Sequence, residues 1–77
     1  MTVKTLTYIH SLLIKEEANA QLKVKWLRDI YYAAETALEN GEGSQADVES
    51  KKQQYEKARD DSMTAYHALR DFESREW

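Results

Sequence analysis

The chain has 77 residues, a net charge of −3, and neither cysteine nor proline. A chain of this length forms one small domain with a marginal core, and the lack of cysteine excludes disulfides and thiolate metal sites. Positive and negative side chains are interspersed, which argues against a broad nucleic-acid-binding surface. Oligomerisation or a partner protein is therefore the remaining way to stabilise so short a chain.

The hydropathy pattern contains no stretch of about 18 uncharged apolar residues, as a membrane-spanning helix requires. The apolar run Leu12-Leu13-Ile14 is too short for a signal-peptide core, and no small-residue cleavage site follows it. We therefore expect a cytoplasmic protein that has no contact with a membrane.

The first predicted element is a helix from about residue 2 to residue 40, which either Thr2 or Thr5 can cap. Apolar residues recur in it at steps of three and four, which is the helical period. Gly41 lies where the left-handed residue after a helix is expected. The seam of this helix consists of Leu6, Ile9, Leu13, Ala20, Val24, Leu27, Tyr31, Ala34 and Leu38.

Both glycines of the chain lie in the predicted turn, residues 41–44, and a second helix is predicted from about residue 45 to residue 77. Ser44 is the predicted N-cap, because an acidic residue, Asp47, follows three positions later. The apolar seam of the second helix is Val48, Tyr55, Ala58, Ser62, Ala65, Leu69 and Phe72.

Two pairs of opposite charge are spaced to support the second helix. Asp47 precedes Lys51 by four residues, and Asp71 precedes Arg75 by the same spacing. Acid-before-base pairs at this spacing stabilise a helix, so we expect both pairs to form.

A turn this short between two long helices predicts an antiparallel hairpin. The fold class is therefore all-α, with residues 1–77 forming one elongated coiled-coil hairpin that has no room for a buried pocket. In the predicted register Leu13 and His10 meet Leu69 and Phe72. The predicted core consists of Leu13, Ala20, Val24, Leu27, Tyr31, Ala34 and Leu38 on the first helix, and Val48, Tyr55, Ala58, Ala65, Leu69 and Phe72 on the second.

The first helix carries a second apolar line on the side opposite its seam. A helix that is apolar on two faces is normally buried on two faces, whereas the outward side of the second helix is polar. We therefore expect the first helix to lie centrally in a homodimeric four-helix bundle; a different partner protein, or a face left exposed, are the alternatives. This predicted interaction face is Tyr8, Leu12, Leu22, Trp26 and Ala33.

No arrangement of residues indicates catalysis, a metal site or a cofactor. Glu16 and Glu17 are adjacent, so their side chains point about 100° apart on a helix and cannot act as an acid–base pair. Asp60 and Asp61 are also adjacent, so they cannot act as such a pair either. The sequence contains no Glu-x-x-His motif, which is typical of helical di-metal sites. We expect a protein that is not an enzyme.

Three polar residues have a structural and a functional interpretation. His67 is interpreted as a solvated histidine rather than a metal ligand or pH switch, because it lacks companion ligands. His10 is interpreted as a satisfied histidine at the edge of the core. Glu17 lies in the seam, where it sets the register, pairs across an interface or marks a weakly packed end.

Lys23, Lys25, Trp26 and Arg28 form the best basic and aromatic cluster. Such a cluster can hold a phosphate backbone and stack a base, which makes a small nucleic-acid-binding regulator one alternative function. Acidic residues flank it on both sides, so we favour the interpretation that lysine stems cover apolar surface beside a buried tryptophan.

Aromatic residues recur at steps of eleven at Tyr55, Tyr66 and Trp77. This spacing is close to three helical turns, so the three residues form either a recognition stripe or the flank of the seam. Trp77 is expected to cover the start of the first helix near Leu6 and Ile9 or to contact a partner, and the sequence leaves both possibilities open.

The two ends of the chain, MTVKTLTYIHSLL at residues 1–13 and ALRDFESREW at residues 68–77, resemble those of small phage and prophage proteins of Gram-positive bacteria. The resemblance covers about a third of the chain and carries no functional residue. It implies a mobile genetic element and action in the host cytoplasm. In that setting an inhibitor that binds a host enzyme, such as a defence nuclease, is a further alternative function.

Overall fold

Residues 2–75, described by a computed structural model, form two antiparallel helices joined by a short turn. Helix α1 spans Val3–Glu39 and helix α2 spans Gln45–Ser74. The rod measures 59 × 14 × 13 Å, and its radius of gyration is 17.5 Å. A compact chain of this length would have a radius of about 11.5 Å. The predicted all-α hairpin is confirmed, and every residue lies near the surface of a thin rod.

Helix α1 begins at the first of its two candidate caps. Thr2 has an extended backbone, and its hydroxyl accepts a hydrogen bond of 3.2 Å from the backbone N–H of Thr5. This bond satisfies one of the amide groups that have no partner within the first turn of a helix.

Helix α1 ends in a left-handed glycine cap. Gly41 has φ +80°, a conformation that glycine adopts without steric cost. Its N–H donates to the carbonyl of Leu38 at 3.0 Å, and the N–H of Glu42 donates to the carbonyl of Ala37 at 2.7 Å. These two bonds form a Schellman motif, which satisfies the last carbonyls and reverses the chain.

Helix α2 begins at its predicted cap. The Ser44 hydroxyl accepts a hydrogen bond of 3.1 Å from the N–H of Asp47. The Lys51 ammonium lies 3.9 Å from the Asp47 carboxylate, and the Arg75 guanidinium lies 2.7 Å from that of Asp71. Both predicted pairs therefore form, although exposed pairs of this kind each stabilise a helix by only about 0.3–0.5 kcal/mol.

The end of helix α2 differs from the prediction. The helix stops at Ser74, and Arg75 is extended with φ −76° and ψ 148°. The expectation that it continues to Trp77 is therefore wrong at Arg75, which caps the helix with an extended backbone while its N–H donates to the carbonyl of Phe72 at 3.4 Å. Glu76 and Trp77 lie outside the described residues.

The core is thin because two helices cover each other on one side only. Its buried apolar residues are Leu27, Val48, Ala58 and Leu69, of which Ala58 is the most enclosed at 2% exposure. The rest of the predicted core is half-buried: Leu13, Ala20, Val24, Tyr31, Ala34, Leu38, Tyr55, Ala65 and Phe72. All the predicted core residues therefore lie in the seam, but the hairpin alone covers few of them fully.

Two ring contacts fix the register of the hairpin. The rings of Tyr31 and Tyr55 stack with centroids 5.9 Å apart near the turn. The His10 and Phe72 rings stack with centroids 5.7 Å apart near the open end. The second contact confirms the predicted meeting of His10 with Phe72.

The phenol of Tyr31 is held in its protonated form. A hydrogen bond to the Glu35 side chain, together with desolvation and nearby negative charge, raises the pKa of Tyr31 to about 12. Because the pKa is raised only in the folded state, the protonated phenol of Tyr31 adds to the free energy of unfolding. This contribution is fully present below the ordinary tyrosine pKa near 10, and it disappears as the pH rises through about 12.

We expect Tyr31 to give a late step in an absorbance titration of the tyrosines at alkaline pH. Tyr31→Phe should remove the step near pH 12, since it deletes the group that ionises there. Tyr66→Phe, the matched control on an exposed side chain, should leave the late step in place. A late step that survives Tyr31→Phe would contradict the assignment.

Candidate interaction surface

The outer face of α1, defined as Tyr8, Leu12, Leu22, Trp26 and Ala33, is uncovered in the hairpin. Tyr8, Leu22 and Trp26 are 64%, 66% and 63% exposed, and Leu12 and Ala33 are also exposed. Helix α2 packs against the other side of α1, so the sequence placed these residues correctly away from the seam. Large apolar side chains aligned in this way are typical of a contact surface.

Other exposed apolar side chains lie away from this face and were not singled out from the sequence. Ile14 and Tyr32 are exposed on α1, and Met63 is exposed on α2. They do not follow the spacing of the outer face, and single exposed apolar residues are normal on protein surfaces. No sequence signal distinguishes them, but they provide matched controls for the experiments below.

An open groove of about 500 Å³ runs between the two helices beside the outer face. Its apolar side is formed by Trp26, Leu27 and Ile30 of α1 with Ala58 of α2. Its polar lining consists of Lys23 of α1 and Lys51, Gln54, Lys57 and Asp61 of α2. This groove has no signal in the sequence, because α2 contributes most of its polar lining and only the pairing of the two helices brings that lining beside α1.

Only two of the four residues in the predicted basic and aromatic cluster line the groove. Lys23 and Trp26 line the groove, whereas Lys25 and Arg28 are not among its lining residues. Arg28 instead lies with its Nε 3.6 Å from the Asp29 carboxylate. The four residues therefore do not converge on one site, and Trp26 is exposed in the hairpin rather than buried beneath lysine stems.

The aromatic residues of α2 make local contacts with arginine side chains. The Arg70 guanidinium lies 5.6 Å from the centre of the Tyr66 ring, and that of Arg59 lies 5.7 Å from the Tyr55 ring. Tyr66 is exposed, whereas Tyr55 belongs to the seam. The predicted stripe is therefore split between seam and surface, and its third member, Trp77, lies outside the described residues.

The two histidines occupy different environments. His10 is half-buried, and its Nε2 lies 3.0 Å from a Glu73 carboxylate oxygen. Because a carboxylate only accepts, Nε2 is the donor, and His10 is a satisfied histidine at the edge of the core. His67 is exposed and makes an edge contact with the Tyr66 ring at 5.6 Å.

Residues 2–75 contain neither a cluster of metal ligands nor a membrane-spanning helix. No group of three or more histidine and acidic side chains in that range is placed to hold a metal ion. Neither α1 nor α2 has the length and apolarity that crossing a membrane would require.

Comparison with known proteins gives no relative on which to base a function. No family model matches the chain, and no curated protein or solved structure matches it significantly.

Proposed function

We propose that this chain is a non-catalytic protein–protein interaction module that associates with a second copy of itself through the outer face of α1. The observation that carries the proposal is the exposure of Tyr8, Leu22 and Trp26, each more than 60%, on one side of one helix. Exposed aromatic and leucine side chains in a row lose contact with water when a partner covers them, which favours association.

The thin core supports the same proposal. A two-helix hairpin with so few buried side chains lacks the apolar burial that usually stabilises a domain of this size. Packing α1 against a second α1 would add a second layer of contacts and create an elongated four-helix bundle in which α2 lies outside. We place its action in the cytoplasm.

Light scattering over a hundredfold range of concentration tests the proposal. The chain mass is 9.0 kDa, so a dimer is expected near 18 kDa, twice that value. Trp26→Glu should raise the dissociation constant at least about 30-fold, because truncating a tryptophan at an interface commonly costs about 2 kcal/mol or more.

Met63→Glu is the matched control, since Met63 is 56% exposed and lies on α2 away from the outer face. It introduces the same charge and should leave the dissociation constant within about twofold. A wild-type chain that stays monomeric throughout the range would overturn self-association. A dimer that resists Trp26→Glu would show that another surface is used.

An inhibitor of a host enzyme is the main alternative, and it rests on the resemblance of the two chain ends to phage proteins. In that case the outer face of α1 binds a different protein, and the free chain is a monomer. A nucleic-acid-binding role has less support, because Lys25 and Arg28 lie apart from the groove that Lys23 and Trp26 line.

A further inference from the structure

Four of the five residues of the outer face of α1, all except Ala33, belong to a second heptad-like seam. Starting at Tyr8, exposed residues follow one another at alternating steps of four and three, which is the spacing that packs one helix along another. The sequence of this second seam is Tyr8, Leu12, Lys15, Asn19, Leu22 and Trp26. It spans about 27 Å of helix at a rise of 1.5 Å per residue.

The second seam is symmetric about Glu17. Leu12 and Leu22 lie five positions to either side of it, and the aromatic residues Tyr8 and Trp26 lie nine positions to either side. A two-fold interface requires this property, because each residue must meet a counterpart that meets it in return.

We propose, building on the self-association proposed above, that α1 packs antiparallel against α1 of a second copy, with the two-fold axis at the level of residue 17 along α1 but on the side of the second seam, away from the Glu17 side chain. Tyr8 then faces Trp26 of the second copy, and Leu12 faces Leu22 of the second copy. Each contact occurs twice, so every large apolar side chain of the second seam meets another one. Ala33 lies opposite residue 1 of the second copy, which is outside the described residues.

The centre of the second seam is polar and fixes the register. Lys15 and Asn19 lie two positions to either side of Glu17, so each faces the other across the axis, where the ammonium donates to the amide oxygen. A polar residue within an apolar seam selects one alignment at some expense of stability. A parallel arrangement would instead place Lys15 against Lys15 of the second copy, which like-charge repulsion disfavours.

Shifting the second copy along α1 by one heptad would no longer pair apolar residues with apolar ones and polar residues with polar ones. Lys15 would then face Trp26, Leu12 would face the charged Asp29, and Asn19 would face Leu22. Each of these contacts buries a polar group against an apolar one, which is unfavourable without a hydrogen-bond partner. The antiparallel alignment about Glu17 avoids all of them.

Disulfide cross-linking tests the alignment in a chain that has no cysteine of its own. Leu12→Cys and Leu22→Cys are made as separate variants with different affinity tags, and they are expressed together or alone. In the proposed dimer, position 12 faces position 22, whereas two copies of position 12 are about 15 Å apart along the axis. A disulfide needs Cα atoms within about 7 Å, so only the mixed pair can form one.

The expected result is a cross-linked dimer that carries both tags, with little cross-linking when either variant is expressed alone. Light scattering under reducing conditions must show each variant as a dimer. A dimer in which Leu12→Cys cross-links to itself would overturn the antiparallel alignment but leave the proposed self-association standing. A dimer with no cross-link in any combination would overturn the alignment as well, whereas a monomeric wild-type chain would overturn both proposals.

Discussion

Leu27→Ala is expected to unfold much of the hairpin at room temperature. Leu27 is buried at the middle of the seam, and truncating a buried leucine to alanine costs about 2–4 kcal/mol through lost apolar burial and a residual cavity. A chain of this size rarely has more than about 3–5 kcal/mol of stability in total. The measurement is urea unfolding followed by circular dichroism, with wild type and variant at the same protein concentration because association contributes to stability.

Ile14→Ala is the matched control for this prediction. Ile14 is an exposed aliphatic residue of α1 that belongs neither to the seam nor to the outer face. Its truncation should change the free energy of unfolding by less than about 0.5 kcal/mol, as surface substitutions usually do. Equal losses for the two variants would mean that Leu27 does not form the centre of the core.

Ala58→Leu is the second substitution for which we expect a large effect. Ala58 is 2% exposed and lies beside Leu27 of α1, from which we infer that the helices approach closely there. A larger side chain must push the helices apart or adopt a strained rotamer, which commonly costs about 1–3 kcal/mol. We expect a lower midpoint of thermal unfolding, measured by circular dichroism at one protein concentration.

Ala68→Leu makes the same change on the exposed side of α2. It adds the same volume in the same helix without meeting α1, and leucine is nearly as good a helix former as alanine. We expect its unfolding midpoint to stay within about 2 °C of the wild type, which corresponds to a few tenths of a kcal/mol. If Ala58→Leu were equally harmless, the close approach at Ala58 would be wrong.

Much of the hairpin could be predicted because its signals are local. The caps at Thr2 and Ser44 depend on a side chain and an amide only three residues away. Gly41 has a left-handed backbone, and its N–H and that of Glu42 each donate to a carbonyl in the preceding turn. Local patterns of this kind can be read from a single sequence.

The outer face of α1 could also be predicted, because the spacing of Tyr8, Leu12, Leu22 and Trp26 assigns them to one side of a helix. Their exposure depends on the hairpin itself. An apolar face stays exposed only if no other part of the same chain packs against it. Helix α2 packs against the opposite side of α1, so it leaves this face uncovered.

The sequence by itself determined the two helices, the cap at Ser44, the turn and the residues of the seam, since each follows from periodicity or from contacts within a few residues. It left the first cap open between Thr2 and Thr5, and it did not give the end of α2 at Ser74. Only the tertiary structure decided which seam residues are buried, and that the groove joins Lys23 and Trp26 to Lys51 and Lys57. These features depend on the register between helices that are distant in the chain. A shift of one helical turn would change every such neighbour while leaving the local signals unchanged.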